Sequence, residues 1–110
     1  IWSNGSLTIG GQTYTQEEGK AIWNATNKKG LADSKAGFTQ AAAIKLSAEL
    51  NLVSPTASVW ADVTIVENYL KTLNKLTPAY LPTANASAKA AAGRISVWIA
   101  DHHVDTTFGD

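Results

Sequence analysis

Phe38-Thr39-Gln40-Ala41-Ala42-Ala43-Ile44-Lys45-Leu46-Ser47-Ala48-Glu49-Leu50 is the stretch on which the reading of this chain turns. Phe38, Ala42, Leu46 and Leu50, continued by Val53, recur at spacings of three and four, so they share one stripe of a helix. Ala41, Ile44 and Ala48 make a second stripe, and Gln40, Lys45, Ser47 and Glu49 interrupt the apolar surface. A helix apolar nearly all round must be covered on several sides, so this one is expected at the centre of the fold. Asp33 or Ser34 supplies a cap, and Ser54-Pro55 a stop, because proline lacks the N–H and disfavours helical geometry in the residue before it. The helix is placed over residues 35–53.

Working toward the N-terminus, Thr15-Gln16-Glu17-Glu18 fits a capping box, which starts a helix at Gln16. Ala21, Ile22 and Trp23 give it an apolar side, and Lys28, Lys29 and Gly30 suit its negative end, although Gly19 weakens it by about 1 kcal/mol relative to alanine. Before it, Leu7-Thr8-Ile9 and Gln12-Thr13-Tyr14 flank Gly10-Gly11, two alternating runs about a pair of residues that readily take positive φ. That is a hairpin signal. Two strands alone are marginal in water, so Leu7, Ile9 or Tyr14 must lean on the helices.

Working toward the C-terminus, Ser58 can cap a helix with Val59, Val63, Val66, Leu70 and Leu73 on one stripe, and Asp62, Lys71 and Lys75 in the order the helix dipole favours. The two-proline segment Thr77-Pro78-Ala79-Tyr80-Leu81-Pro82 is too stiff for helix, and Tyr80 and Leu81 are expected to pin it to the core. A last helix from near Thr83 or Asn85 buries Ala88, Ala91, Ala92, Ile95, Trp98 and Ile99. The expected fold is therefore mainly α, a compact bundle of about four helices with a short N-terminal β-hairpin. Residues 1–110 form a single domain, with the hairpin at 7–14 and helices at 16–29, 35–53, 58–76 and 84–103. Short connectors and many small residues favour antiparallel neighbours in close approach.

Composition narrows the function classes. Nine basic and nine acidic residues cancel without gathering into blocks, which removes the footprint of a nucleic-acid binder. No apolar run approaches the roughly 20 residues of a membrane span. The absence of cysteine removes disulfides and thiolate catalysis together, and no cofactor motif is present. With charged residues at 16% and a chain starting at Ile1, the composition suits an exported product, processed or cut from a longer one.

Several residue groups merit weighing as sites. Asp101, His102, His103 and Asp105 form the one dense set of possible metal ligands, but adjacent histidines on a helix point about 100° apart, and a solvated helix end is the simpler reading. No Gly-x-Ser-x-Gly elbow accompanies the serines, and Glu17, Glu18, Glu49, Asp62 and Glu67 are explained by caps, dipoles or solvent, so no enzyme is expected. Among the tryptophans, Trp60 and Trp98 are assigned to core packing, whereas Trp2 is expected to be exposed and to meet a ligand, carbohydrate included, or a partner. Asn4, Asn24 and Asn85 head glycosylation sequons.

Leu7-Thr8-Ile9-Gly10-Gly11-Gln12-Thr13-Tyr14-Thr15-Gln16 resembles the start of a helical module of large secreted bacterial surface proteins. There an L-T-x-G-x-x-Y-T-Q stretch usually follows a G-Y-W-K-N-H segment, and residues 40–52 resemble the same module's "hQhiAAKLN" piece. The chain departs from that module at Val104, where relatives often carry a cysteine just after a histidine, and in lacking the G-Y-W-K-N-H segment. The resemblance implies export and a cell-surface setting and brings no established activity. The expected function is thus a non-enzymatic extracellular structural module that assembles with other copies or with neighbouring surface domains, the alternative being a carbohydrate- or metal-binding module.

Overall fold

A computed structural model describes Trp2 and residues 5–25, 33–82 and 86–104. The chain order is β1 (Ser6–Ile9), β2 (Gln12–Thr15), α1 (Gln16–Asn24), α2 (Asp33–Glu49), α3 (Ala57–Leu70) and α4 (Ala86–His102). The protein is a mainly helical, compact globule, with four helices and one two-stranded antiparallel hairpin among the described residues.

The hairpin pairs Ser6 with Thr15, Leu7 with Tyr14, Thr8 with Thr13 and Ile9 with Gln12. Gly10 and Gly11 both have positive φ, 59° and 77°, the backbone of the two-residue turn that matches strand twist. In this register Leu7, Ile9 and Tyr14 enter the core, while the Thr8 and Thr13 hydroxyls bond to each other on the exposed face, 3.0 Å apart. The turn lies against α3 so closely that a Cβ on Gly10 would stand 2.5 Å from the Cβ of Leu70.

Thr15 and Glu18 form both halves of the capping box at the start of α1. This helix ends at Asn24, short of the expected residue 29, because Ala25 turns to extended geometry and its N–H donates to the Ile22 carbonyl. The Ala25 carbonyl in turn accepts from Lys35 Nζ at 2.6 Å, which ties the end of α1 to the first turn of α2. Lys28, Lys29 and Gly30 lie outside the described residues.

The central position of α2 is as its sequence demands: Phe38, Ala41, Ala42, Ala43, Ile44 and Leu46 are buried, and the helix contacts α1, α3, α4 and β1. Its end differs from expectation. Asn51 adopts a left-handed φ of 58°, its N–H donates to Ala48 and the Leu52 N–H donates to Ser47, both at 3.0 Å. This is the Schellman pattern, and it stops the helix at Glu49, before Ser54-Pro55 can act. Leu50, expected on the buried stripe, consequently sits beyond the last helical turn and is exposed.

Thr56, not Ser58, caps α3, accepting from the Val59 N–H. Val59, Val63, Val66 and Leu70 are buried as predicted, but the helix stops at Leu70 instead of residue 76. Beyond it Thr72 turns its hydroxyl onto the Tyr69 carbonyl at 2.7 Å, and the Leu76 N–H leaves helical bonding for the Tyr14 hydroxyl at 2.9 Å. Long-range partners thus displace the local ones. Thr77 to Tyr80 form a turn with Pro78 in the position that suits its fixed φ, and Tyr80 and Leu81 pack on the core.

In α4 the buried stripe is Ala88, Ala91, Ala92, Ile95 and Ile99, with Trp98 half-buried beside it. The expected starts at Thr83 or Asn85 lie outside the described residues. The helix ends at His102, and His103 takes φ 52° while the Val104 N–H donates to Ile99. Here Val104 and Ile99 both belong to the core cluster, which supplies the apolar contact that often accompanies this helix stop.

Candidate functional site

Asp101, His102 and His103 are exposed at the end of α4, and Asp105 lies outside the described residues. The first three do not converge: among the described residues no group of three or more His, Cys, Asp or Glu is arranged to hold a metal ion. The His102 ring stacks on Trp98, centroids 3.9 Å apart, and its Nδ1 lies 2.9 Å from the Trp98 carbonyl. His103 is the left-handed residue of the helix stop. Both histidines thus have structural work at the helix end, His102 through its ring and His103 through its backbone.

The tryptophan expectations are reversed at two positions. Trp2 is buried at 7% exposure within the core cluster, and its carbonyl accepts from the N–H of Gly5, which has φ 73°. Trp60, expected in the core, stands 38% exposed, since Val59 and Val63 take the inward positions of α3. Asn24 is exposed at the end of α1, while Asn4 and Asn85 fall outside the described residues.

Charged side chains are drawn into ion pairs between elements. Lys45 and Glu67 join α2 to α3, Lys75 and Glu18 join the segment after α3 to α1, and Arg94 and Asp62 join α4 to α3 at 2.8 Å. The Thr15 N–H bond, seconded by Lys75, holds the Glu18 carboxyl below its ordinary range. Hydrogen bonding to Asp62 raises Arg94. Burial pushes the Tyr14 hydroxyl up, against the opposing bond from Leu76 and the charge of Lys75. None of these groups faces another across a cleft in the manner of a general acid and base.

The concave feature the structure adds is a groove of about 330 Å³ between α2 and α4, lined by Lys35, Ala36, Thr39 and Gln40 on one wall and Lys89, Ala92, Gly93 and Ser96 on the other. Its volume is at the lower end of the range for small-molecule sites. A glycine inside a helix costs roughly 0.5–1 kcal/mol relative to alanine. At Gly93 no neighbour excludes a Cβ: nothing lies within 4 Å of where one would stand. The space above Gly93 is therefore left open without a packing reason. Gln40 Oε1 is buried with no hydrogen-bond partner among the described residues. In the sequence the only trace of this groove is an isolated glycine within a helical pattern, a signal that close helix packing explains equally well.

Comparison of the chain with family models, with curated proteins and with solved structures finds no match.

Proposed function

We propose that this protein is a non-enzymatic extracellular structural module of a bacterial surface protein, which works by packing against other copies of itself or against neighbouring surface domains. The observation that carries the reading is the exposure of large apolar side chains on a chain of modest charge: Leu52 at 62% and Val97 at 63%, with Leu50 and Trp60 at 37% and 38%. Leu50 and Leu52 flank the left-handed Asn51 in one turn, so they are not scattered singly. Leu52 occupies the position in its helix stop that often packs on the third residue from the helix end, but that residue is Ser47, which offers no apolar surface. Covering such side chains in an interface recovers roughly 25 cal/mol per Å² of apolar area.

Export and a surface setting rest on the resemblance of residues 7–16 and 40–52 to the secreted module. The first of these stretches carries one residue more between Leu-Thr and Tyr than the module's pattern. Strand addition is the less favoured mode of assembly. The outward carbonyl of Thr8 on β1 accepts Lys45 Nζ at 2.8 Å, which blocks that edge to another chain.

Light scattering over a wide concentration range tests the reading. A mass that grows with concentration, and falls back to the monomer in Leu52→Ser and Val97→Ser variants, is the expected result. A strict monomer at every concentration, with no envelope component retained, overturns it.

A further inference from the structure

We infer that the groove between α2 and α4 is a binding site for a small hydroxylated carboxylate, a uronic acid of one or two sugar rings. The sign of the ligand follows from the walls. Each wall contributes one lysine, Lys35 from α2 and Lys89 from α4, and among the described residues no aspartate or glutamate lines the groove. Lys35 directs one donor to the Ala25 carbonyl and keeps others for a ligand, since an ammonium carries three. Lys89 forms no ion pair within 4 Å of a described carboxylate. Two ammonium groups without a counter-charge among the described residues favour an anion, and a carboxylate is an acceptor for either.

The remaining lining selects the body of the ligand. Ala36, Ala92 and Gly93 present small apolar surface, against which the C–H face of a sugar ring fits. Thr39 and Ser96 bring hydroxyls. Thr39 donates its own proton to the Lys35 and Ala36 carbonyls, so toward a ligand it acts as an acceptor. Gln40 lines the groove, and its buried Oε1 lacks a donor among the described residues, which a ligand hydroxyl can supply. Gly93 leaves its Cβ position vacant, which lets a ring approach the α4 backbone. The volume suits one or two rings. This site is independent of the apolar surface residues on which assembly is proposed.

The test is a titration of the ¹⁵N-labelled chain with sodium glucuronate and digalacturonate, read by amide chemical shifts, beside glucose and inorganic phosphate. Saturable shifts centred on Ala36, Gln40, Ala92 and Gly93 with the uronates, and at least about tenfold weaker binding of glucose, are expected from the loss of charge-assisted hydrogen bonds. Lys89→Ala weakens uronate binding by about the same factor, and Lys89→Arg retains it. Gly93→Leu fills the groove and abolishes binding, while its melting temperature stays at or above that of the parent, because leucine is the better helix former. Equal binding of glucose, phosphate binding as tight as uronate, or uronate binding unchanged in Gly93→Leu each overturns the assignment.

Discussion

Lys45 and Glu67 meet 3.2 Å apart beneath the hairpin, and between them they hold its turn. Lys45 Nζ donates to the Thr8 carbonyl at 2.8 Å, and the Gly10 N–H donates to Glu67 Oε2 at 3.0 Å. A two-stranded hairpin, marginal by itself, is thereby tied to α2 and α3 at once. Both side chains are about three-quarters covered, at 24% and 22% exposure, so the pair sits between the weak surface case and the strong buried one. Lys45→Met is expected to cost about 1–2 kcal/mol, because it leaves the Glu67 carboxylate and the Thr8 carbonyl short of a donor. Glu67→Gln, which keeps an acceptor for Gly10, should cost less. Urea unfolding of the two variants checks the order.

The two turn glycines should respond differently to the same change. Gly10→Ala meets positive φ and a Cβ contact of 2.5 Å with Leu70, so it is expected to cost more than about 2 kcal/mol. Gly11→Ala meets only positive φ, its nearest neighbour being Lys71 Cγ at 3.9 Å, and should cost about 1 kcal/mol. Equal losses in thermal unfolding would show that the contact with α3 does not matter.

The helix stops make a third prediction, which concerns the histidines. Non-glycine residues hold the left-handed positions at Asn51 and His103, so His103→Gly should stabilise by roughly 1 kcal/mol, and Asn51→Gly by less, since asparagine tolerates that backbone. His103→Val should destabilise. If the end of α4 is a helix stop and not a metal site, zinc at micromolar concentration leaves the melting temperature unchanged. A rise that disappears in His102→Ala would overturn this account.

Glu18 supplies a pH dependence whose sign can be worked out. Its carboxyl is held below the ordinary glutamate range, chiefly by the Thr15 N–H and next by Lys75. A folded pKa below the unfolded one contributes stability that is present above the unfolded value and lost as pH falls through the folded one. Glu18→Gln keeps the capping box and removes the charge. It should be less stable than the parent at pH 7, and the gap should close in acid. Melting temperatures of both proteins from pH 7 to pH 2.5 measure it.

Legibility from sequence followed the range of the interaction. The hairpin turn, the capping box and the all-round apolar α2 are written in residues within a few positions of one another; the first two stand where the pattern puts them, and α2 is central as its pattern demands although it spans Asp33–Glu49 and not 35–53. Helix ends are less legible, and α2 and α3 stop at Glu49 and Leu70, ahead of the expected residues 53 and 76. A hydroxyl 62 residues away in sequence took the Leu76 N–H, and a left-handed asparagine pre-empted Ser54-Pro55. The candidate groove was illegible for the same reason: helical spacing puts Ala92 and Gly93 on the side of α4 that meets α2, but only the packed distance between those helices decides whether small residues close a gap or leave one.

The sequence by itself thus determined the element types, their order, the inward faces of α2, α3 and α4, and the absence of disulfide chemistry, since each depends on residue identity and short-range periodicity. Tertiary structure decided which aromatic rings are covered, as Trp2 folded in and Trp60 stayed out. It also decided where each helix stops and that an open, lysine-flanked groove lies between α2 and α4. Burial and concavity belong to pairs of surfaces that meet, and no single stretch of chain contains both members of the pair.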